Sequence, residues 1–401
     1  MKKIFIVFFI SFLLAIFIGV FYLQNPQTSR TRIFSNYTLL TSSWEKYKTK
    51  FINKDGRVID YSQNSFAASQ GDITTSEAQS YALLRSVWID DKKTFDLVWN
   101  WTKNNLKRPK DHLFGWKWGK RPDKTYGFLP DGGVNSASDA DSDIALALLL
   151  AAKRWNIKEY LNQAQLILPD LWKIETDIVN GKRYLLAGNW AKTADRDILN
   201  PSYFSPYAWR LFAKVDQKND WESLIGPAYE LLKKSGTEPL DKAQAAGLPP
   251  DWLSIRRDSG QIEPPHFGNL TTNYSYDAIR IPWRIGLDYF WHGEKRAKDY
   301  LATLDKLYGD YKQNGKLPGS YSHDGTVLNQ NEVPAVYATS LGYFLVIQPL
   351  LAKEIYEEKI LKLYSNDTNS FKQDLPYYEE NWLWFGAALY LWKNQLFPAG
   401  K

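Results

Sequence analysis

The stretch SASDADSDIALALLLAAKRW, Ser136 to Trp155, decides how the rest of the chain is read. Its apolar residues follow a helical period and are dense enough for a helix buried on most of its faces. Three aspartates, Asp139, Asp141 and Asp143, stand at its mouth, where like charges repel one another. Ser138 can cap such a helix, placing Asp139 and Asp141 in the first turn, where carboxylates complement the positive end of the dipole. The D-x-D-x-D spacing also opens a calcium loop, but Ile144 replaces the turn glycine and Leu150 the bidentate glutamate that such a loop requires. Nor does the stretch hold the D-D-x-x-D or D-x-D-D cluster with which a terpene-cyclase toroid would bind magnesium diphosphate or donate a proton.

Outward from this helix the same periodicity dominates. Candidate helices fall near 42–52, 77–89, 92–106, 139–155, 157–172, 206–216, 219–234, 282–292, 295–308, 334–352, 354–364 and 380–393, in consecutive pairs joined by loops of unequal length. Strand-like runs such as GRVIDYS are short and isolated. Paired helices without β-α-β alternation predict an all-α fold, an α/α toroid whose inner helices form the core and whose outer helices wrap it. Two long Gly/Pro-rich loops, residues 120–139 and 236–277, each end in an aspartate at a helix start; loops of that length in a compact domain are usually functional.

The first 23 residues stand apart. Lys2 and Lys3 precede an apolar run from Ile4 to Leu23, long enough at ~1.5 Å per residue to cross a hydrocarbon core of about 30 Å. No small-x-small cleavage site follows, which favours an uncleaved transmembrane helix, residues 1–23, over a cleaved secretory signal. Residues 24–32, QNPQTSRTR, read as a polar tether, and residues 33–401 as one domain facing outward. The chain has no cysteine, and so no disulfide or thiolate chemistry. Its net charge of +6 is interleaved rather than blocked, giving no nucleic-acid surface. Seventeen Trp, 25 Tyr and 20 Phe exceed what core filling needs, and indole faces stack well on sugar rings.

Two further acidic residues lie at helix starts. GDITTSEAQSYALLRSVW places Glu77 after Ser76, with Ser76 and Gln79 at capping-box spacing. NYSYDAIRIPWRIGLDYFW places Asp277 three residues before Arg280, ahead of a helix that Pro282 can open. Three carboxylates at three loop-to-helix junctions can converge on one end of a toroid. At this point a resemblance becomes specific: ASDADSDIALALLLAAKRW is similar throughout to the signature of glycoside hydrolase family 8, and TSEAQSYALL resembles that family's acid motif, with Ala78 where the family usually has glycine. LFGWKWG, NPSYFSPYAWRLFA, GLPPDWL and YDAIRIPWRIGLDY resemble its remaining landmarks in order, over about residues 40–393.

The resemblance implies an (α/α)6 barrel and inverting hydrolysis of β-1,4-linked glycans such as cellulose, xylan and chitosan. It makes Glu77 the general acid, Asp277 the general base and Asp139 a sugar-binding carboxylate, and the aspartate in YDA favours the cellulase-like subgroup. Inversion needs an acid on the departing oxygen and a base across the sugar, with carboxyls ~6.5–9.5 Å apart and pKa values pushed apart. Burial and Asp139 would keep Glu77 protonated, and Arg280 would keep Asp277 ionised. Trp116, Trp118, Trp190, Tyr203 and Tyr276 are expected to line the cleft, with Arg280 and Asp141 in supporting binding roles. The histidines, His112, His266, His292 and His323, show no ligand spacing, so neither a metal nor a cofactor is expected. The resulting expectation is an anchored endo-β-1,4-glycanase that trims a bacterial exopolysaccharide beside its synthesis and export proteins. The rival is a non-catalytic polysaccharide-binding subunit of the export system.

Overall fold

The computed structural model describes residues 26–60, 73–372 and 374–392, with side chains from Thr38 onward. The run expected to anchor the chain, residues 4–23, lies outside the described residues. Among the described residues no helix is long and apolar enough to cross a membrane.

The helices are α1 (Pro26–Phe51), α2 (Ser76–Trp88), α3 (Lys92–Asn105), α4 (Ser138–Trp155), α5 (Lys158–Ile174), α6 (Pro206–Val215), α7 (Ile225–Thr237), α8 (Ile281–His292), α9 (Lys295–Leu301), α10 (Asp305–Asn314), α11 (Pro334–Ile347), α12 (Pro349–Ile355) and α13 (Tyr377–Trp392). Helix α2 packs on α4, α4 on α6, α6 on α8, α8 on α11, α11 on α13, and α13 returns to α2, closing an inner ring of six. Around it α3 lies on α2, α5 on α4, α7 on α6, α9 on α8, α12 on α11 and α1 on α13. This is the (α/α)6 toroid. The inner helices α2, α4, α8, α11 and α13 are buried nearly all round, which is why their sequences are apolar on every face rather than along one stripe. Backbone-close packing in the ring needs small residues: a Cβ on Gly342 of α11 would stand 1.9 Å from the Pro282 carbonyl oxygen of α8.

Several sequence expectations shift. Residues 26–32 of the expected tether are helical, within α1. The candidate 295–308 divides into α9 and α10, and 334–352 divides at Gln348, because Pro349 disfavours helical backbone in the residue before it. The candidate 354–364 becomes a π turn followed by a 3-10 turn. Ser76 does not cap α2; the Thr75 hydroxyl accepts the Ala78 N–H at 3.1 Å. Gln79 turns inward, accepting from the Val58 N–H at 2.6 Å, so no capping box forms. Ser138 likewise leaves its cap role and donates to the Leu186 carbonyl at 2.5 Å.

The strands are short antiparallel pieces within the loops. Thr74–Thr75 pairs with Lys117–Lys120, which pairs with Tyr126–Phe128; Arg196–Leu199 pairs with Leu253–Arg256, which pairs with Ile262–Glu263. They stiffen the loops at the end of the ring where the inner helices begin.

Candidate active site

The first turns of α2 and α4, the 3-10 turn Pro201–Tyr203 and the 3-10 turn Ala278–Arg280 that leads into α8 meet at one point, on the side chain of Arg280. Its Nη1 donates to Glu77 Oε2 at 2.9 Å, to Asp139 Oδ2 at 3.0 Å and to Tyr81 OH at 3.3 Å. Nη2 donates to Asp277 Oδ1 and, at 2.7 Å, to Ser202 Oγ; Nε reaches Ser202 Oγ at 3.1 Å. The guanidinium lies over the Tyr203 ring, 5.2 Å from its centroid. Three carboxylates from loop-to-helix junctions far apart in sequence are thus gathered by one cation.

Glu77 and Asp277 face the cleft through 22% and 29% of their side-chain surface, whereas Asp139 and Arg280, at 4% and 1%, lie beneath them. Although Glu77 has this opening, protein surrounds it, and loss of hydration pushes its carboxyl up to about 7. Arg280 pulls in the opposite direction, Asp139 pushes further up, the Tyr377 hydroxyl bonded to Glu77 Oε1 pulls down, and Asp277 pushes up. Asp139 is itself raised, by burial first, against the attraction of Arg280 and Arg284.

Asp277 is held from three directions. Arg280 takes one oxygen, and the Trp252 Nε1–H donates to the other at 2.9 Å. From below, Asp251 Oδ1 accepts the backbone N–H groups of Ser275 (3.1 Å), Asp277 (3.2 Å) and Ala278 (2.7 Å), fixing the turn that carries the carboxylate.

Aromatic rings continue outward from this floor. Tyr203 meets Trp252 edge-on with centroids 5.8 Å apart, Trp252 meets Trp190 at 6.2 Å, and Trp190 stacks on exposed Phe267 at 5.1 Å. On another side Trp118, paired with Thr74 in the sheet beside α2, stacks on exposed Tyr126 at 5.4 Å, with the Arg57 guanidinium 4.7 Å from its ring centroid. Tyr276 is 57% exposed, next to Asp277, and its carbonyl accepts the Tyr378 hydroxyl. Trp116 is half-buried, its indole N–H on the Gly132 carbonyl at 3.0 Å.

Of the residues picked from sequence, Glu77, Asp139, Asp277, Arg280 and Tyr203 come into direct contact, with Trp190, Trp118 and Tyr276 on the surrounding walls. Two expectations need correction. Asp141 is fully buried; its Oδ1 accepts the Phe114 N–H at 3.0 Å and its side chain meets Glu175, so it does not face the cleft. Arg280 commits every guanidinium nitrogen to protein, so it positions carboxylates instead of binding substrate. Sequence reasoning missed Tyr81, Trp252, Asp251 and Tyr377. Tyr81 sits one turn after Glu77, a spacing that places both on one helix face. Trp252 and Asp251 lie inside the quoted motif GLPPDWL, while no local pattern ties Tyr377 to Glu77, 300 residues away.

The family model of the glycosyl hydrolases family 8 matches residues 26–377. The chain belongs to that family. Among curated relatives of this family 8 chain, an endoglucanase of Cellulomonas uda is 32% identical over 246 residues, covering 61% of this chain and 62% of the relative. Endoglucanase A of Acetivibrio thermocellus is 29% identical over 331 residues, covering 80% and 64%. The family 8 chain therefore spans under two thirds of the length of these relatives. Among solved structures, the endo-1,4-D-glucanase of Vibrio fischeri superposes with a TM-score of 0.71 at 27% identity, covering 87% of this chain and 94% of that one.

Proposed function

We propose that the chain is an inverting endo-β-1,4-glucan hydrolase in which Glu77 is the general acid and Asp277 the general base. The observation that carries this reading is the shared guanidinium: Glu77 and Asp277 sit on different nitrogens of Arg280, and both open on one cleft. A sugar lying over Tyr203 and Trp252 would present its glycosidic oxygen to Glu77 and its opposite face to a water beside Asp277. Glu77, held near pKa 7 by burial, keeps its proton until the departing oxygen needs it. Asp277, with Arg280 and Trp252 on its two oxygens, takes the proton that the attacking water releases. Asp139 shows little surface to the cleft and acts mainly through its charge, raising the proton affinity of Glu77 and binding Arg280.

The names of the relatives support a β-1,4-glucan as substrate. The apolar run Ile4–Leu23 supports a membrane-anchored domain facing outward, beside the machinery that makes and exports an exopolysaccharide, with that polymer as its target.

Reducing-end release from soluble β-glucan, chitosan and native exopolysaccharide tests the reading. Wild type is expected to cut a β-1,4-glucan with inversion at the anomeric carbon, and Glu77→Gln to lose ~10²–10⁴-fold in kcat. Binding without turnover, equal in wild type and Asp277→Asn, would replace the hydrolase with a polysaccharide-binding subunit. Membrane fractionation with and without residues 1–23 tests the anchor; equal recovery in the soluble fraction would sink it.

A further inference from the structure

Of the three aspartates at the start of α4, two face arginines across the ring: Asp139 meets Arg280, and Asp143 meets Arg284. Asp141 meets another acid. Its side chain hydrogen-bonds that of Glu175, at the end of α5, and both residues are completely buried. Each has one oxygen with an ordinary donor: Asp141 Oδ1 takes the Phe114 N–H at 3.0 Å, and Glu175 Oε1 takes the Ser136 hydroxyl at 2.6 Å. Each has a second oxygen, Asp141 Oδ2 and Glu175 Oε2, that is buried and finds no donor in the protein. Two acceptors hydrogen-bonded to one another need a proton between them, because adjacent buried carboxylates cannot both be ionised.

We propose that Asp141 and Glu175 share one proton, and that this protonated pair is a positioning element of the cleft, joining the segments that carry Glu77, Asp139 and Trp190. The second half rests on the hydrolase reading above; the first does not. The connections can be followed bond by bond. Phe114, held by Asp141, leads to Trp116, whose N–H donates to the Asn135 carbonyl at 2.7 Å and whose carbonyl accepts the Ser76 N–H at 3.0 Å, the first residue of α2 and the neighbour of Glu77. Ser136, held by Glu175, donates its N–H to Asn189 Oδ1 at 2.7 Å, and the Asn189 N–H returns to Ser136 Oγ at 3.1 Å, directly before Trp190. Asp139 is two residues from Asp141 in the same first turn.

The charged groups facing the pair are Arg108 and Asp139. Arg108 favours ionisation of both acids but also pairs with Asp111 at 3.2 Å; Asp139 opposes ionisation of Glu175. Burial outweighs Arg108, raising Glu175 to about 8 and Asp141 well above the usual carboxylate range. The pair therefore keeps its proton at neutral pH.

The test uses the Glu77→Gln chain as parent, so that the acid's own titration is silent and bound oligosaccharide stays uncut. Thermal midpoint and cello-oligosaccharide affinity, read by tryptophan fluorescence, are followed from about pH 5 to about pH 9. A carboxyl whose folded pKa is raised destabilises progressively from its unfolded value, about 4.5, up to about 8. The parent should lose stability across that window, and its affinity should weaken several-fold above about pH 8. Adding Glu175→Gln supplies a permanent hydrogen to Asp141 and should flatten both slopes while keeping neutral-pH affinity; Asp141→Asn offers the same hydrogen from the other side. Identical pH slopes in parent and amide variants would overturn the shared proton. A flattened stability slope with an unchanged pH dependence of affinity would overturn the positioning role. If neither variant folds, the infrared band of a protonated carboxyl in the parent at pH 7 decides: its absence overturns the pair. A parent that binds no cello-oligosaccharide removes the glucanase reading and with it the positioning role, while the stability slopes still decide the proton.

Discussion

Tyr377 reaches Glu77 from the start of the last inner helix, and its hydroxyl stabilises the ionised carboxylate against the burial that raises its pKa to about 7. In Tyr377→Phe that bond is gone, so the proton affinity of Glu77 should rise. A hydrogen bond to a charged group contributes roughly 1.5–3 kcal/mol, and about 1.4 kcal/mol corresponds to one pKa unit. With Glu77 as the proposed general acid, the alkaline limb of kcat/KM should accordingly move up by about one pH unit. A limb that stays put or moves down would mean that another group sets it. At this scale the meeting of Glu77, Asp277 and Arg280 was legible because their motifs are local. Tyr377 was not, since its contact with Glu77 is made by the closing of the ring, and a helical period reports which face a residue occupies but not what lies opposite.

At the level of the helices, Asp139 and Asp143 stand one turn apart on α4, and Arg280 and Arg284 stand one turn apart at the start of α8. Both pairs are separated by 141 residues, so the two segments face each other in register, and Arg284 also donates to the Tyr207 hydroxyl of α6 at 2.8 Å. The upper pair belongs to the site and the lower one to the scaffold. Asp143 and Arg284 expose 2% and 1% of their side chains, and removal of the acid leaves a buried cation without its partner. Asp143→Ala should cost ~3–5 kcal/mol in urea unfolding, and Asp143→Asn, which keeps an acceptor, clearly less. Equal losses would mean that lost packing dominates. The acidic run could be read as a helix start from sequence, but its division into two arginine partners and one acid partner required the neighbouring helices. The close approach of α8 and α11 was equally hidden. Gly342→Ala would drive a Cβ into the Pro282 carbonyl, and overpacking of this kind costs about 1–3 kcal/mol. The thermal midpoint should fall and kcat with it, because Pro282 follows the turn that holds Arg280; unchanged stability would show that the ring absorbs the methyl group by shifting.

For the molecule as a whole, the site exists only when the ring is closed, because α2 and α13 lie far apart in sequence and Glu77 takes a bond from each. The seam is made of large side chains. Trp88 stacks on Trp384 with centroids 6.2 Å apart, Trp283 meets Trp382 at 5.6 Å and donates its indole N–H to the Phe385 carbonyl at 2.9 Å. Arg85 of α2, with Tyr47 of α1 beneath its guanidinium at 4.1 Å, donates to Asn381 of α13 at 3.0 Å. A chain ending at Pro376 would lose the burial of Trp382, Leu383, Trp384, Phe385 and Leu389, each ~1.5–3 kcal/mol, and would expose the faces of α1, α2, α8 and α11 that they cover. That sum is comparable with the entire stability of a domain, about 5–15 kcal/mol. The truncated chain should therefore melt without a cooperative transition and cut no glucan. Leu389→Ala, on the same helix but away from Glu77, should lower stability by ~2–5 kcal/mol while the surviving folded fraction keeps wild-type kcat. A truncated chain that melts cooperatively would show that five inner helices suffice to hold the scaffold, and closure would then matter only to the acid.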